Sequence, residues 1–417
     1  MTSRSGYTTP PAAAHNLSES PLSPGELRRD MDAIGKAPVF PQWPQYDDEE
    51  RTALIRALEQ GQWWRMGGTE VESFEREFAE FHGAPHALAV TNGTHALELA
   101  LQCLGAGPGS EVIVPAFTFI SSSQAAQRLG AVAVPVDVDL ETYNIDVAAT
   151  AAAVTPRTRV IMPVHMAGLV ADMDALAKLA ADNGVALLQD AAHAQGARWQ
   201  GKRIGEFGTI AAFSFQNGKL MTAGEGGALL LPDEEMFENA FLRHSCGRPR
   251  TDRHYMHKVS GSNLRLGEFA AAVLRAQLRR LDAQNAVRDE RWALLSGLLA
   301  GIPGVVPQSG DPRAERKTHY MAMFRVPGLG EQARNDLVDR LVAAGLPAFA
   351  TFRAIYRTDA FWDGARPAET VEQIAERCPH TEAISTDGIW LHHRTLLAEP
   401  EALHATVEII AGAVTAA

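Results

Sequence analysis

The chain has 417 residues, 38 of them basic and 50 acidic, for a formal charge of −12 and a pI near 5.6. That balance excludes a sequence-independent nucleic-acid binder, which needs a basic surface to displace counterions from phosphates. An apolar share of 46% beside 21% charged residues marks a folded globular protein, with about two domains expected at this length.

Cys103, Cys246 and Cys378 are too widely separated for a zinc site or a disulfide framework. They fit a reducing, cytoplasmic setting. No apolar run approaches the roughly 18 to 20 residues that cross a bilayer, and the N-terminus lacks a signal-peptide pattern, so neither a membrane nor export is expected.

Residues 1 to 30 hold four Pro, five Ser and three Thr but no Val, Ile, Phe or Trp. They offer too little apolar surface to offset the entropy of ordering, and a disordered extension is expected over residues 1–38. Met31, just before the first foldable segment (KAPVFPQWPQY), reads equally as a translation start or an ordinary internal methionine. Residues 47–60 and 69–81 then carry apolar residues at helical spacing. The second run opens with Thr69 and, three positions on, Glu72, which predicts a capping box.

Short β-rich runs follow between helical stretches: ALAV (87–90), EVIVP (111–115), AVAVPVDV (131–138), RVIMPV (159–164), VALLQD (185–190), TIAAFSF (209–215) and GALLLP (227–232). Such alternation predicts a mainly parallel sheet covered by helices, because parallel strands need long crossovers. Beyond about residue 265 come a long helix, one strand over 320–326 and a helix near 331–345. In a sheet of this kind ligands sit at the carboxyl ends of the strands.

Three strand ends carry suitable residues. Thr91-Asn92-Gly93-Thr94-His95 opens a helix and reads equally as a cap or as an anion cradle of free N–H groups. Asp190 ends an apolar strand; it reads as a helix N-cap, or as a buried carboxylate that needs a cationic partner. Ser214 and Lys219 precede the turn Gly224-Glu225-Gly226-Gly227. A lysine in apolar surroundings has its amine pKa lowered, as Schiff-base chemistry requires, although a lone lysine near a loop more often faces solvent. His165, His254, His257, His392 and His393 lack metal-ligand spacing and read as surface or packing residues. Trp63, Trp64 and Arg65 read as packing residues or as the rim of a substrate entrance.

Taken in order, TNGTHAL, VPAFTFISS, PVHMAG, QDAAHA, FSFQNGKLMTAGEGG and GSNLRLGE resemble the motifs of fold-type I pyridoxal-phosphate enzymes, and within them the DegT/DnrJ/EryC1/StrS family of sugar aminotransferases. The resemblance implies an α/β fold-type I architecture: a mainly parallel seven-stranded sheet between helices. A cofactor-binding large domain over 39–265 and a smaller C-terminal α+β domain over 266–417 are expected. By the same resemblance, Lys219 holds pyridoxal 5'-phosphate covalently, Asp190 pairs with its pyridine nitrogen and Phe119 stacks on its ring. Gly93, Thr94 and Ser214 fall at the phosphate, and His193 near the phenolic oxygen. Asn263 is implied to reach the phosphate from the second subunit of a homodimer with shared sites.

A narrower set of segments, FPQWPQYDDEE, ALEQGQWWRMGG, PAFTFISSSQAAQRLGAV, SFQNGKLMTAGEGG, FLRHSCGRPR, HYMAMF and FRAIYRTDAFW, resembles the branch of that family serving ansamycin- and mitomycin-type antibiotics. It implies a lyase that dehydrates and aromatises 5-amino-5-deoxy-3-dehydroshikimate to 3-amino-5-hydroxybenzoate, with a partner oxidoreductase in the same pathway. The alternative is transamination of a keto-sugar or keto-cyclitol by glutamine or glutamate, alone or as a second activity. A non-catalytic binding protein of the same fold fits poorly with Lys219, Asp190 and Ser214 all present.

Overall fold

The computed structural model describes residues 38–416. Apart from Pro38, the extension expected over 1–38 lies outside the described residues. Strands β1 (His86–Val90), β2 (Glu111–Pro115), β3 (Val132–Val136), β4 (Thr158–Ile161) and β5 (Ala186–Asp190) lead to a small hairpin, β6 (Arg198–Trp199) and β7 (Lys202–Arg203). Next come β8 (Ile210–Ser214) and β9 (Gly227–Leu231). Seven of these form one sheet in the order β1-β9-β8-β5-β4-β2-β3. Strands β2, β3, β4, β5 and β8 run parallel, whereas β9 lies antiparallel between β1 and β8. Each strand predicted from an apolar run is present: β2 has the expected bounds, β1 starts one residue earlier, and the others end or begin within three residues of the expected limits.

Burial on both faces explains why these strands are apolar throughout. Every residue of β2, β8 and β9 is buried, as expected where helices cover both sides of a sheet. Alternate residues of β8 divide between two cores, Ala211 and Phe213 facing one and Ile210 and Ala212 the other. Phe74 and Phe78 fill the first core; Leu97, Leu101 and Phe241 fill the second.

A 33-residue helix, Glu268–Ala300, follows. Its Ala271, Leu274, Leu278 and Leu281 pack into the first core, whereas Trp292, Leu295 and Leu299 pack into a third core further on. That third core backs a four-stranded antiparallel sheet in the order β10-β11-β13-β12, from β10 (Val306–Pro307), β11 (Met321–Arg325), β12 (Ala348–Ala350) and β13 (Gly388–His392). Only β11 was anticipated from the sequence. Strands β10 and β12 span two and three residues, too few to show a period-2 pattern. Ala354, Ile355, Tyr356, Phe361, Ile374 and Cys378 return to the second core, so residues after 265 pack on both sheets.

The capping box predicted at Thr69 is not formed. Thr69 caps the helix Glu70–His82 without a side-chain hydrogen bond. Instead the carboxylate of Glu268, about 200 positions away, accepts from the Glu70 N–H at 2.6 Å and the Val71 N–H at 3.3 Å. A fully ionisable acceptor from the long helix outcompetes a local hydroxyl. It also ties the first turn of one helix to that of the other.

Candidate active site

β1 and β8 are both antiparallel to β9 and so point the same way. The carboxyl ends of β1, β2, β5 and β8 therefore meet along one edge, around a cavity of about 710 Å³. Gly93, Thr94, Phe119, Asp190, His193, Ser214 and Lys219 all line it. Seven of the eight site residues expected from the sequence are thus brought together.

After β1 the helix Gly93–Cys103 begins at Asn92, whose side chain accepts from the His95 N–H at 2.8 Å. The cap reading holds through Asn92, and it leaves Gly93 and Thr94 facing the cavity. Gly93 lies so close to β8 that a Cβ there would come within 2.7 Å of the Ser214 Cβ. The absence of a side chain is what lets the helix N-terminus and Ser214 share one cradle. The Thr94 hydroxyl donates to Ser121 Oγ at 2.9 Å.

Asp190 ends β5, and no helix starts there, so the N-cap reading fails. Its carboxylate accepts from the Ser122 hydroxyl at 2.9 Å and, two residues on, from the Ala192 N–H at 3.2 Å. Among the described residues no cation lies within ion-pair distance of it. Burial pushes this carboxyl above its ordinary value, opposed by the Ala192 and Ser122 hydrogen bonds and by the charge of Lys219. A cationic group placed against Asp190 would be strongly favoured.

Lys219 is half-buried, with Nζ 4.2 Å from the centre of the Tyr320 ring. Tyr320 in turn stacks on His193 at 4.3 Å between ring centres. Burial, then the Lys219 charge, then His165 hold His193 well below the usual histidine range, and its buried Nδ1 has no hydrogen-bond partner among the described residues. Phe119 is exposed at the mouth, edge-on to Phe352 at 6.1 Å. Asn263 stands apart: it is exposed, bridged to Ser245, and does not line the cavity of its own chain.

Sequence reasoning did not single out Ser122, Tyr320 or Gln195. Ser122 lies in VPAFTFISS, in the first turn of the helix Ser121–Arg128 that follows β2, and the serine run at that helix start was the usable signal. Tyr320, in HYMAMF just before β11, faces the cavity from the C-terminal sheet, and nothing local to that segment says that its ring meets residues of the other sheet. Trp63, Trp64 and Arg65 do not line the cavity. Arg65 forms a buried ion pair with Glu75 at 2.5 Å, and Trp63 packs on Phe269 at 5.7 Å. His165 is a packing residue, bonded to Gln189 Oε1 at 3.0 Å.

Known proteins resemble this chain along nearly its whole length. It is 75% identical to 3-amino-5-hydroxybenzoate synthase of Amycolatopsis mediterranei, over 92% of this chain and 99% of that one. A crystal structure of 3-amino-5-hydroxybenzoic acid synthase superposes with a TM-score of 0.91 at 75% identity, covering 92% of this chain and all of that one. The dTDP-3-amino-3,4,6-trideoxy-alpha-D-glucose transaminase of Streptomyces venezuelae is 38% identical over 77% of this chain and 82% of its own. The family model for DegT/DnrJ/EryC1/StrS aminotransferases matches residues 45–410. With the strand-end cavity already built from the same motifs, the chain belongs to the DegT/DnrJ/EryC1/StrS aminotransferase family.

Proposed function

We propose that this protein dehydrates and aromatises 5-amino-5-deoxy-3-dehydroshikimate to 3-amino-5-hydroxybenzoate with pyridoxal 5'-phosphate as cofactor. The likeness to the Amycolatopsis mediterranei synthase over almost the entire chain carries this reading. The residues present fit the cofactor. A cradle at Gly93 that a Cβ would fill and, among the described residues, a buried carboxylate lacking a cation and an unpartnered Nδ1 on His193 offer complementary groups around one amine, Lys219. Thr94, Ser214 and the helix N-terminus would hold the phosphate, and Asp190 the protonated ring nitrogen. Phe119 would cover one face of the ring, with His193 beside the phenolic oxygen.

When bound, pyridoxal phosphate supplies a cationic ring that accepts the electrons released as a C–H bond beside an amine breaks. The Lys219 amine would anchor the cofactor and, when free of it, would remove the proton from the amine-bearing carbon. Asp190 would face the ring nitrogen and favour its protonated, cationic form. The hydroxyl on the neighbouring carbon leaves with a proton as water, and a further proton shift makes the ring aromatic. Substrate minus one water gives the product, so no oxidant or reductant is required.

Asn263 supports a homodimer in this reading. A phosphate carrying nearly two negative charges is held better by a further donor beside two hydroxyls and a helix N-terminus, and Asn263, exposed and outside the lining of its own cavity, would supply one to a partner's. Transamination uses the same cofactor contacts, and the likeness to the Streptomyces venezuelae transaminase keeps it as a second activity. Incubating the purified protein with the aminodehydroshikimate tests the reading. An ultraviolet-absorbing aromatic product, formed without glutamine or glutamate, is expected; amine transfer without aromatisation would overturn it.

A further inference from the structure

The carbonyls just before Lys219 are held from far along the chain. The Gln216 carbonyl accepts from the Lys219 N–H at 2.8 Å, closing a local turn. The next two are taken by distant side chains: Trp43 Nε1–H donates to the Asn217 carbonyl at 3.0 Å, and His393 Nε2 meets the Gly218 carbonyl at 3.1 Å. Trp43 and His393 also pack edge to face, 4.4 Å between ring centres.

His393 is fully buried, and its two neighbours fix its tautomer. A carbonyl can only accept, so Nε2 carries the proton. On the other side Arg288 Nη2 lies 3.4 Å from Nδ1, and a guanidinium can only donate, so Nδ1 is bare. Burial and the adjacent Arg288 charge hold the ring well below the usual histidine range, in keeping with a neutral imidazole.

Arg288 is itself fully buried and has no ion-pair partner among the described residues. Such a charge is costly to keep and calls for a use. Its other arm, Nη1, donates to Asn285 Oδ1 at 3.0 Å, and Asn285 Nδ2 donates to the Gln195 carbonyl at 2.9 Å. Gln195 Nε2 then donates to the Ser214 carbonyl at 2.8 Å. A Cβ on Gly196 would fall 2.8 Å from Asn285 Nδ2, so this approach depends on glycine.

We propose that Arg288 is the positioning residue for the lysine: one buried guanidinium orients His393 to hold the Lys219 turn and, through Asn285 and Gln195, holds the backbone at Ser214. The inference deepens the proposed function and rests on its assignment of Lys219. A lysine that serves first as an anchor and then as a free amine loses its side-chain tether partway through. The restraint on its backbone persists throughout, and that restraint helps set the distance over which the proton moves.

The test compares Arg288→Met, His393→Leu and His393→Gln in the full chain. One readout is the rate at which acetic anhydride acylates Lys219 in the cofactor-free protein, followed by peptide mass spectrometry; the other is kcat and KM of the loaded enzyme. Arg288→Met and His393→Leu should raise labelling about threefold or more as the turn opens locally. They should also lower kcat by about tenfold to about a hundredfold at nearly constant KM. His393→Gln, whose amide can donate to Gly218 and accept from Arg288, should rescue both readouts. The proposal is overturned if a folded Arg288→Met or His393→Leu leaves either readout unmoved, or if His393→Gln is as impaired as His393→Leu. The His393 pair decides the matter even if Arg288→Met does not fold. Labelling presumes nothing about the lysine's chemistry, so turnover surviving Lys219→Ala would sink the anchor assignment and leave the restraint measurable.

Discussion

The two sheets contribute to one cavity in opposite ways. Seven-stranded and largely parallel, the first delivers the groups with chemistry to offer at its strand ends: Thr94 after β1, Asp190 at the end of β5, Ser214 at the end of β8 and Lys219 in the following turn. The four-stranded sheet delivers residues that confine those groups, Tyr320 just before β11, Trp390 in β13 and His393 just beyond it. Chemistry is concentrated in local motifs, whereas confinement is assembled across the chain.

The largest effect belongs to the first set. Lys219→Ala should reduce turnover by about a thousandfold or more, because the same amine anchors the cofactor and moves the proton. The visible absorbance of the lysine-bound cofactor should vanish with it, and borohydride should no longer fix the cofactor to the protein. If substantial turnover survived, the cavity would have another base and the first sheet would lose its central residue.

Asp190→Ala should cost on the order of a hundredfold in kcat while leaving part of the cofactor bound through the phosphate contacts. The carboxylate is buried, has no ion-pair partner among the described residues and holds two hydrogen bonds, from Ser122 and Ala192. Equilibrium dialysis with pyridoxal phosphate, run beside the kinetics, separates the two effects. Near-normal activity would make Asp190 a structural acceptor for the Ser122 hydroxyl and nothing more.

This contrast also explains what was legible from the sequence. The large-sheet strands were visible because burial on both faces makes each a short apolar run. Gly93, Asp190, Ser214 and Lys219 stood at the ends of such runs. Strands β10 and β12 were too short to leave a pattern. The Trp43–His393, Arg288–His393 and Asn285–Gln195 contacts join residues 90 or more positions apart. No local periodicity encodes a pairing of that range, and a lone buried arginine or histidine looks in sequence like any surface one.

Asn263 tests whether confinement extends beyond one chain. Lys219→Ala and Asn263→Ala proteins should each be nearly inactive. Once subunit exchange is confirmed, an equal mixture should recover about a quarter of the parent activity, since half the dimers are mixed and each has one intact site of two. No recovery at all would place Asn263 within its own subunit or away from the cofactor.

The smallest effect concerns the helix start where local and distant acceptors competed. Glu268→Ala removes the carboxylate that accepts from the Glu70 and Val71 N–H groups, leaving buried donors unmet. It should lower unfolding stability by about 1 to 2 kcal/mol, read from the denaturation midpoint. Thr69→Ala, at an exposed residue whose side chain caps nothing, should change stability by less than about 0.5 kcal/mol. The reverse ranking would restore the local capping box. The expected ranking would mean that the long helix, already shared between the first and third cores, also sets where the preceding helix begins.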